Sequence, residues 1–151
     1  MCSSDLGRPA TDGVVLRPVL LRPKSRGEIR LRSSAPDEPV RILQNFLSEP
    51  DDVRAMRECF ETVREIGQQS AMKDLGLTEI SPGPDVRSES DVDAYIRATS
   101  ATAHHPAGTC KMGNDSLSVV DAELKVKGVD GLRVIDASVM PDLVGGRSEE
   151  H

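Results

Sequence analysis

Between Ser48 and Gly67, the residues Val53, Met56, Phe60, Val63 and Ile66 recur every three or four positions. That spacing lays one apolar stripe along one face of a helix, and such a stripe has to be buried against another element. Glu58, Glu61, Arg64 and Glu65 occupy the other face, a pattern that needs nothing but water. Ser48 and Asp51 have the separation of a capping box in its weaker aspartate form. Pro50 falls in the first turn, where its missing N–H costs nothing. A helix starting at Ser48 is therefore predicted. Cys59 lies beside the stripe and reads as a buried, inert thiol.

The elements around this helix are shorter. Val14 to Leu21 is apolar and β-rich, but Pro18 demotes it to an edge or interrupted strand. Glu28 to Arg32 alternates, with Ile29 and Leu31 on one side, as a half-buried strand does, and Val40 to Leu43 reads as a further short strand. Ser81-Pro82-Gly83-Pro84 breaks the chain into a surface loop. A second helix is predicted with Ser90 as its N-cap and Val92 and Ile96 one turn apart, and it is expected to deliver the chain to His104. Thr109 to Met112, Val119-Val120, Leu124 to Val126 and Leu132 to Ile135 read as strands, the last two separated by the Asp130-Gly131 turn. Strands and helices that do not strictly alternate predict an α+β fold: a largely antiparallel sheet with helices packed on one face.

Composition narrows the function classes. The chain has 151 residues, enough for one domain with a core. Its formal charge is −6 and its basic residues are scattered, which argues against a nucleic-acid partner. There is no Trp, one Tyr and two Phe, so stacking platforms for bases are missing as well. No apolar run reaches the roughly 20 residues that span a bilayer. Three cysteines without a CxxC pair fit a reduced compartment, and a cytoplasmic location is the expectation. Both ends match translations of a common sequencing adapter. Residues 1–6 and 147–151 are therefore expected to be foreign, and the domain proper to run from 7 to 146.

Two stretches carry candidate chemistry. The first is HHPAGTCKMG, His104 to Gly113. Pro106 disfavours the α region for His105, which places that imidazole at a sharp exit from the preceding helix. Histidine is the side chain whose unperturbed pKa allows proton exchange near neutrality, so His105 is a candidate general base for a substrate hydroxyl. The plainer reading is a histidine at a helix C-terminus, favoured there by the dipole. A metal set of His104, His105 and Cys110 is disfavoured, because adjacent histidines project apart and no further His/Cys cluster completes it. Cys110 as a nucleophile lacks the required elbow. The second stretch is LRVIDASVMPDLVGG, Leu132 to Gly146. Small residues after a strand end let a cofactor approach the backbone, and the plainer reading makes Asp136 or Ser138 an N-cap. No GxGxxG occurs in the chain.

Taken together, HHPAGTCKMG and VVDAELKVKGVDGLRVIDASVMPDLVGG closely resemble the carboxy-terminal part of the glucose–methanol–choline (GMC) oxidoreductases, FAD-dependent alcohol dehydrogenases and oxidases. LRPKSRGEIRLRS and FLSEPDDVRAMRECFETVREI are similar to that family's substrate-domain strands and long helix. The resemblance implies a substrate domain covering a flavin, with a small-molecule alcohol as substrate and no metal. It makes His105 the proton acceptor at the alcohol hydroxyl and puts His104, a position where relatives often carry tyrosine, behind it. It also lays Asp136 and Ala137, and more weakly Ser138, against FAD. Relatives continue past the double glycine with asparagine and a second active-site His or Asn. Here Arg147 follows, so that partner and the glycine-rich FAD-binding domain are expected to belong to parts of a parent enzyme outside this sequence.

Overall fold

Glu49 precedes a proline, and this decides where the first helix begins. A residue before proline is pushed out of the α region, and Glu49 is extended, with φ −91° and ψ 130°. It is the N-cap, and helix α1 runs Pro50–Gly67. The predicted start at Ser48 is corrected by one residue, and with it goes the capping box, since Glu49 makes no side-chain cap. Asp51 and Asp52 in the first turn complement the helix dipole instead. The computed structural model describes residues 13–145. The segments 1–6 and 147–151 assigned as foreign lie outside them.

Asp52 does more than face a dipole. It is 3% exposed and accepts from the Lys24 N–H at 2.8 Å, the Ser25 N–H at 2.7 Å and the Ser25 hydroxyl at 2.5 Å. The Ser25 hydroxyl also accepts from the Glu49 N–H at 3.2 Å. The incoming segment is thus pinned to the head of α1. Burial alone would raise the Asp52 pKa, but the donors from Lys24 and Ser25 outweigh it and hold the carboxyl below its ordinary range.

Helix α2 is a single turn, Ser70–Lys73, for which the sequence carries no period. Helix α3 runs Glu89–Thr99. Its N-cap is Ser88, two residues before the predicted Ser90. The Asp91 N–H donates to Ser88 Oγ at 3.1 Å, and Ser88 Oγ donates to Asp91 Oδ2 at 2.5 Å. Ser88 wins because Asp91 stands at its third position, the spacing that Ser90 and Asp93 also offer. Asp93 is engaged elsewhere: it takes two 2.8 Å bonds from Arg57, which also pairs with Glu89 at 2.8 Å. These bonds lock α3 across α1 over a core of Leu47, Val53, Phe60, Val92 and Ile96, lined by Met56, Val86 and Tyr95. Burying side chains of this size stabilises by about 1.5–3 kcal/mol each. Arg64 lies 4.5 Å over the Phe60 ring and reaches Glu79, the Gly83 carbonyl and the Val86 carbonyl, so it ties the 79–86 loop down.

The sheet is smaller than expected. β1 (Glu28–Arg30) and β2 (Arg41–Leu43) form one antiparallel ribbon in which Ile29 faces Ile42 and Arg30 faces Arg41. Arg30 relieves that like-charge pair by bonding Glu28 at 2.7 Å. A Cβ on Gly27 would collide with the Leu43 carbonyl and lie 2.8 Å from the Gln44 carbonyl, so only glycine lets the two strands close here. Ile29 and Ile42 remain 50% and 62% exposed, so β1 is not the half-buried strand expected. Val14 to Leu21 forms no strand; Pro18 has no N–H for a ladder. Beyond α3 the predicted strands shrink to isolated bridges, Met112 with Val120, Val120 with Val126, and Lys125 with Arg133. They close around Val120, which is fully buried. Among the described residues the result is α+β, with a two-stranded antiparallel ribbon and three α-helices rather than a sheet backed by helices.

Because the Asp52 pKa is lowered on folding, its contribution is complete above the ordinary carboxylate range near pH 4 and is lost as pH falls through the folded value. Asp52→Ala is expected to mimic that loss at neutral pH. Hydrogen exchange should show protection of the Lys24 and Ser25 amides falling by about tenfold or more, with the middle of α3 unchanged. Undiminished protection would remove Asp52 as the pin.

Candidate active site

Helix α3 ends at Thr99, with Ser100 as its C-cap, so the histidine pair stands beyond the helix and not at its last turn. The dipole reading of His105 therefore fails: the effect fades within one turn, and five residues intervene. The helix stops early because Ser100 is extended, at φ −64° and ψ 132°. Its N–H still bonds the Ile96 carbonyl at 2.9 Å. His104 adopts the left-handed region at φ +63°, and its N–H donates to Thr102 Oγ1 at 2.9 Å. His104 and His105 are both exposed.

The chain then turns back on itself. Gly108 has φ +86°, and a Cβ placed there would lie 3.5 Å from the Met140 carbonyl. Cys110 donates its N–H to the Ser138 carbonyl at 2.9 Å, and Met112 donates to the Val139 carbonyl at 2.8 Å. The two stretches singled out by sequence, 27 residues apart between Cys110 and Ala137, thus form one backbone unit. Asp115 secures the turn that follows: Lys111 Nζ and the Leu117 N–H hold its carboxyl at a pKa of about 2, and the Val119 N–H bonds the Lys111 carbonyl at 3.0 Å.

Asp136 has the capping role that sequence allowed it. It is the extended N-cap of a 3-10 turn, Ala137–Val139, and its Oδ1 accepts from the Ser138 N–H at 2.7 Å. The Ser138 hydroxyl and then the Ser138 N–H keep its carboxyl below the ordinary range. The turn's own bonds use the N–H groups of Ser138, Val139 and Met140. Ala137, at the head of the turn, is exposed. Val139 beneath it is buried. Among the described residues, no group of three His, Cys, Asp or Glu side chains has the arrangement of a metal site. Thr102 is the residue that sequence reasoning passed over. A Thr-x-His spacing before a left-handed residue is the only signal it leaves.

Residues 23–149 match the carboxy-terminal domain model of the GMC oxidoreductases. The chain belongs to the GMC oxidoreductase family. More particularly, it is 43% identical over 126 residues to an oxygen-dependent choline dehydrogenase of Escherichia coli (strain SMS-3-5 / SECEC). It is 44% identical over the same length to the one of Burkholderia cenocepacia (strain HI2424). These matches cover 83% of this chain and 22% of each relative. Among solved structures it is similar to pyridoxine 4-oxidase from Mesorbium loti, with 35% identity and a TM-score of 0.73 over 83% of this chain and 25% of that one. A fungal aryl-alcohol oxidase gives 35% identity and a TM-score of 0.74 over 82% of this chain and 21% of that one. The chain spans about a fifth to a quarter of the length of these proteins.

Asp136→Ala is expected to expose the Ser138 amide to exchange and, through the Ser138 carbonyl, to reduce protection at Cys110. Asp136→Asn keeps an acceptor and should preserve both. Equal loss in the two variants would show that charge, not the cap, holds the turn.

Proposed function

We propose that this chain forms one wall of the active site of an FAD-dependent oxidoreductase that converts an alcohol to an aldehyde or ketone, with His105 accepting the hydroxyl proton. The observation that carries this reading is the backbone joint at Cys110–Ser138 and Met112–Val139, which sets the histidine segment beside the Asp136–Ser138 turn. The family match and the alcohol-related name of one similar protein, the fungal aryl-alcohol oxidase, support it.

The turn fits a cofactor. Ala137 is exposed and its small side chain lets a flat group approach, while Asp136 caps the turn through the Ser138 N–H. Bound there, FAD would take up the hydride from the carbinol carbon. His105 has the complementary task at the oxygen. Its imidazole accepts the hydroxyl proton as the C–H bond breaks. His104 supports His105 from the preceding position. No charged pocket for a particular alcohol is needed for this step, and the substrate class is a small-molecule alcohol.

In the full-length parent, His105→Ala is expected to slow alcohol-driven flavin reduction by about two to four orders of magnitude. A stopped-flow rate near that of the unaltered enzyme would remove His105 from the chemistry. The 151-residue chain alone is expected to purify colourless and to reduce no dye with alcohol. Flavin that stays with it through gel filtration would overturn that expectation.

A further inference from the structure

The path from α3 to the joint at Cys110 is anchored at both ends. On one side Ile96, 3% exposed, and the Ser100 N–H on its carbonyl tie the helix end to the core. On the other, Gly108 abuts the Met140 carbonyl and Cys110 is bonded to Ser138. Between these anchors the direction of the chain is decided by few residues. Pro106 confines His105 to extended backbone. His104 makes the opposite turn, in the left-handed region at φ +63°. A side-chain-bearing residue is rarely found there, and it stays only when its surroundings insist on it.

The group that insists is a hydroxyl. Thr102, half-buried at the foot of the segment, receives the His104 N–H on its Oγ1 at 2.9 Å. A threonine that accepts the N–H two residues on holds a local turn in place. Since His105 follows directly, a His104 backbone that relaxed to negative φ would swing the His105 imidazole to another direction. We infer that Thr102 is a positioning residue for the reaction: through the left-handed turn at His104, its hydroxyl aims His105 at the substrate oxygen. This rests on the reading of His105 as proton acceptor. Misplacing a catalytic group by about 1 Å can cost about a hundredfold in rate, so the hydroxyl should be visible in kinetics although it touches neither substrate nor cofactor.

The test uses the full-length flavoenzyme. Thr102→Val keeps the shape and removes the acceptor, and flavin reduction should slow by about tenfold to a hundredfold with substrate affinity little altered. Thr102→Ser should recover most of the rate. The double variant Thr102→Val/His104→Gly should be several-fold faster than Thr102→Val/His104→Ala, which lacks the same imidazole, because glycine takes positive φ without help. A crystal structure of Thr102→Val should show His104 out of the left-handed region. Should that protein fail to fold, His104→Gly and His104→Val carry the comparison, with the valine form at least about tenfold slower because β-branching resists this backbone. An undiminished rate in Thr102→Val, or no rescue by glycine, overturns the inference. Normal flavin reduction in His105→Ala would sink the proton-acceptor reading instead, and the φ of His104 in Thr102→Val would still report on the turn.

Discussion

Two backbone hydrogen bonds, Cys110 to Ser138 and Met112 to Val139, hold the site together. They belong to no named strand and join segments whose only regular structure is a 3-10 turn. The proposed site hangs on them nonetheless. Upstream, the histidine pair follows a path that ends at this joint, and downstream the joint presents the Asp136 turn. What keeps it in register is packing below and electrostatics beside it. Val120 and Val139 are buried, and the Lys111–Asp115 pair fixes the next bend.

The helical half of the molecule serves as the mount. α1 and α3 share a compact apolar core, and Arg57 locks their relative position from outside with Asp93 and Glu89. Half-exposed ion pairs of this kind contribute little individually, but a guanidinium gripping one carboxylate with two bonds also fixes geometry. By contrast Val14, Val15, Ile29, Leu31 and Ile42 carry large exposed apolar surface. The ribbon therefore draws little of its stability from the core that supports the site. Its closure rests on the Gly27 approach and its approach to α1 on the Asp52 pin.

Sequence reading recovered what depends on period and composition. The stripe on α1 as far as Val63, the second helix, the breaker loop at Ser81 to Pro84 and the α+β class were legible, because spacing encodes which face is buried, but Ile66 at the end of the stripe is 46% exposed. Boundaries were less so. Glu49 and Ser88 begin the helices for local reasons, a following proline in one case and a competing cap in the other. The extent of the sheet was misjudged most. Alternation in Glu28 to Arg32 marks a strand but cannot say whether anything covers its apolar face, and after α3 the apolar pairs were too short to sustain a ladder. In the site, His105, Asp136, Ala137 and Ser138 were singled out by their chemistry and by resemblance. The Asp136 cap was foreseen as the plain alternative. Thr102 was not, since a left-handed histidine leaves no trace in composition or period.

The account stands on where one imidazole points. A crystal structure of the full-length parent with FAD bound would settle it most directly. The account predicts the His105 ring facing the reactive edge of the flavin, across a gap that admits an alcohol, with the Ala137 N–H against the cofactor. An imidazole turned into packed protein, far from the flavin, would contradict it.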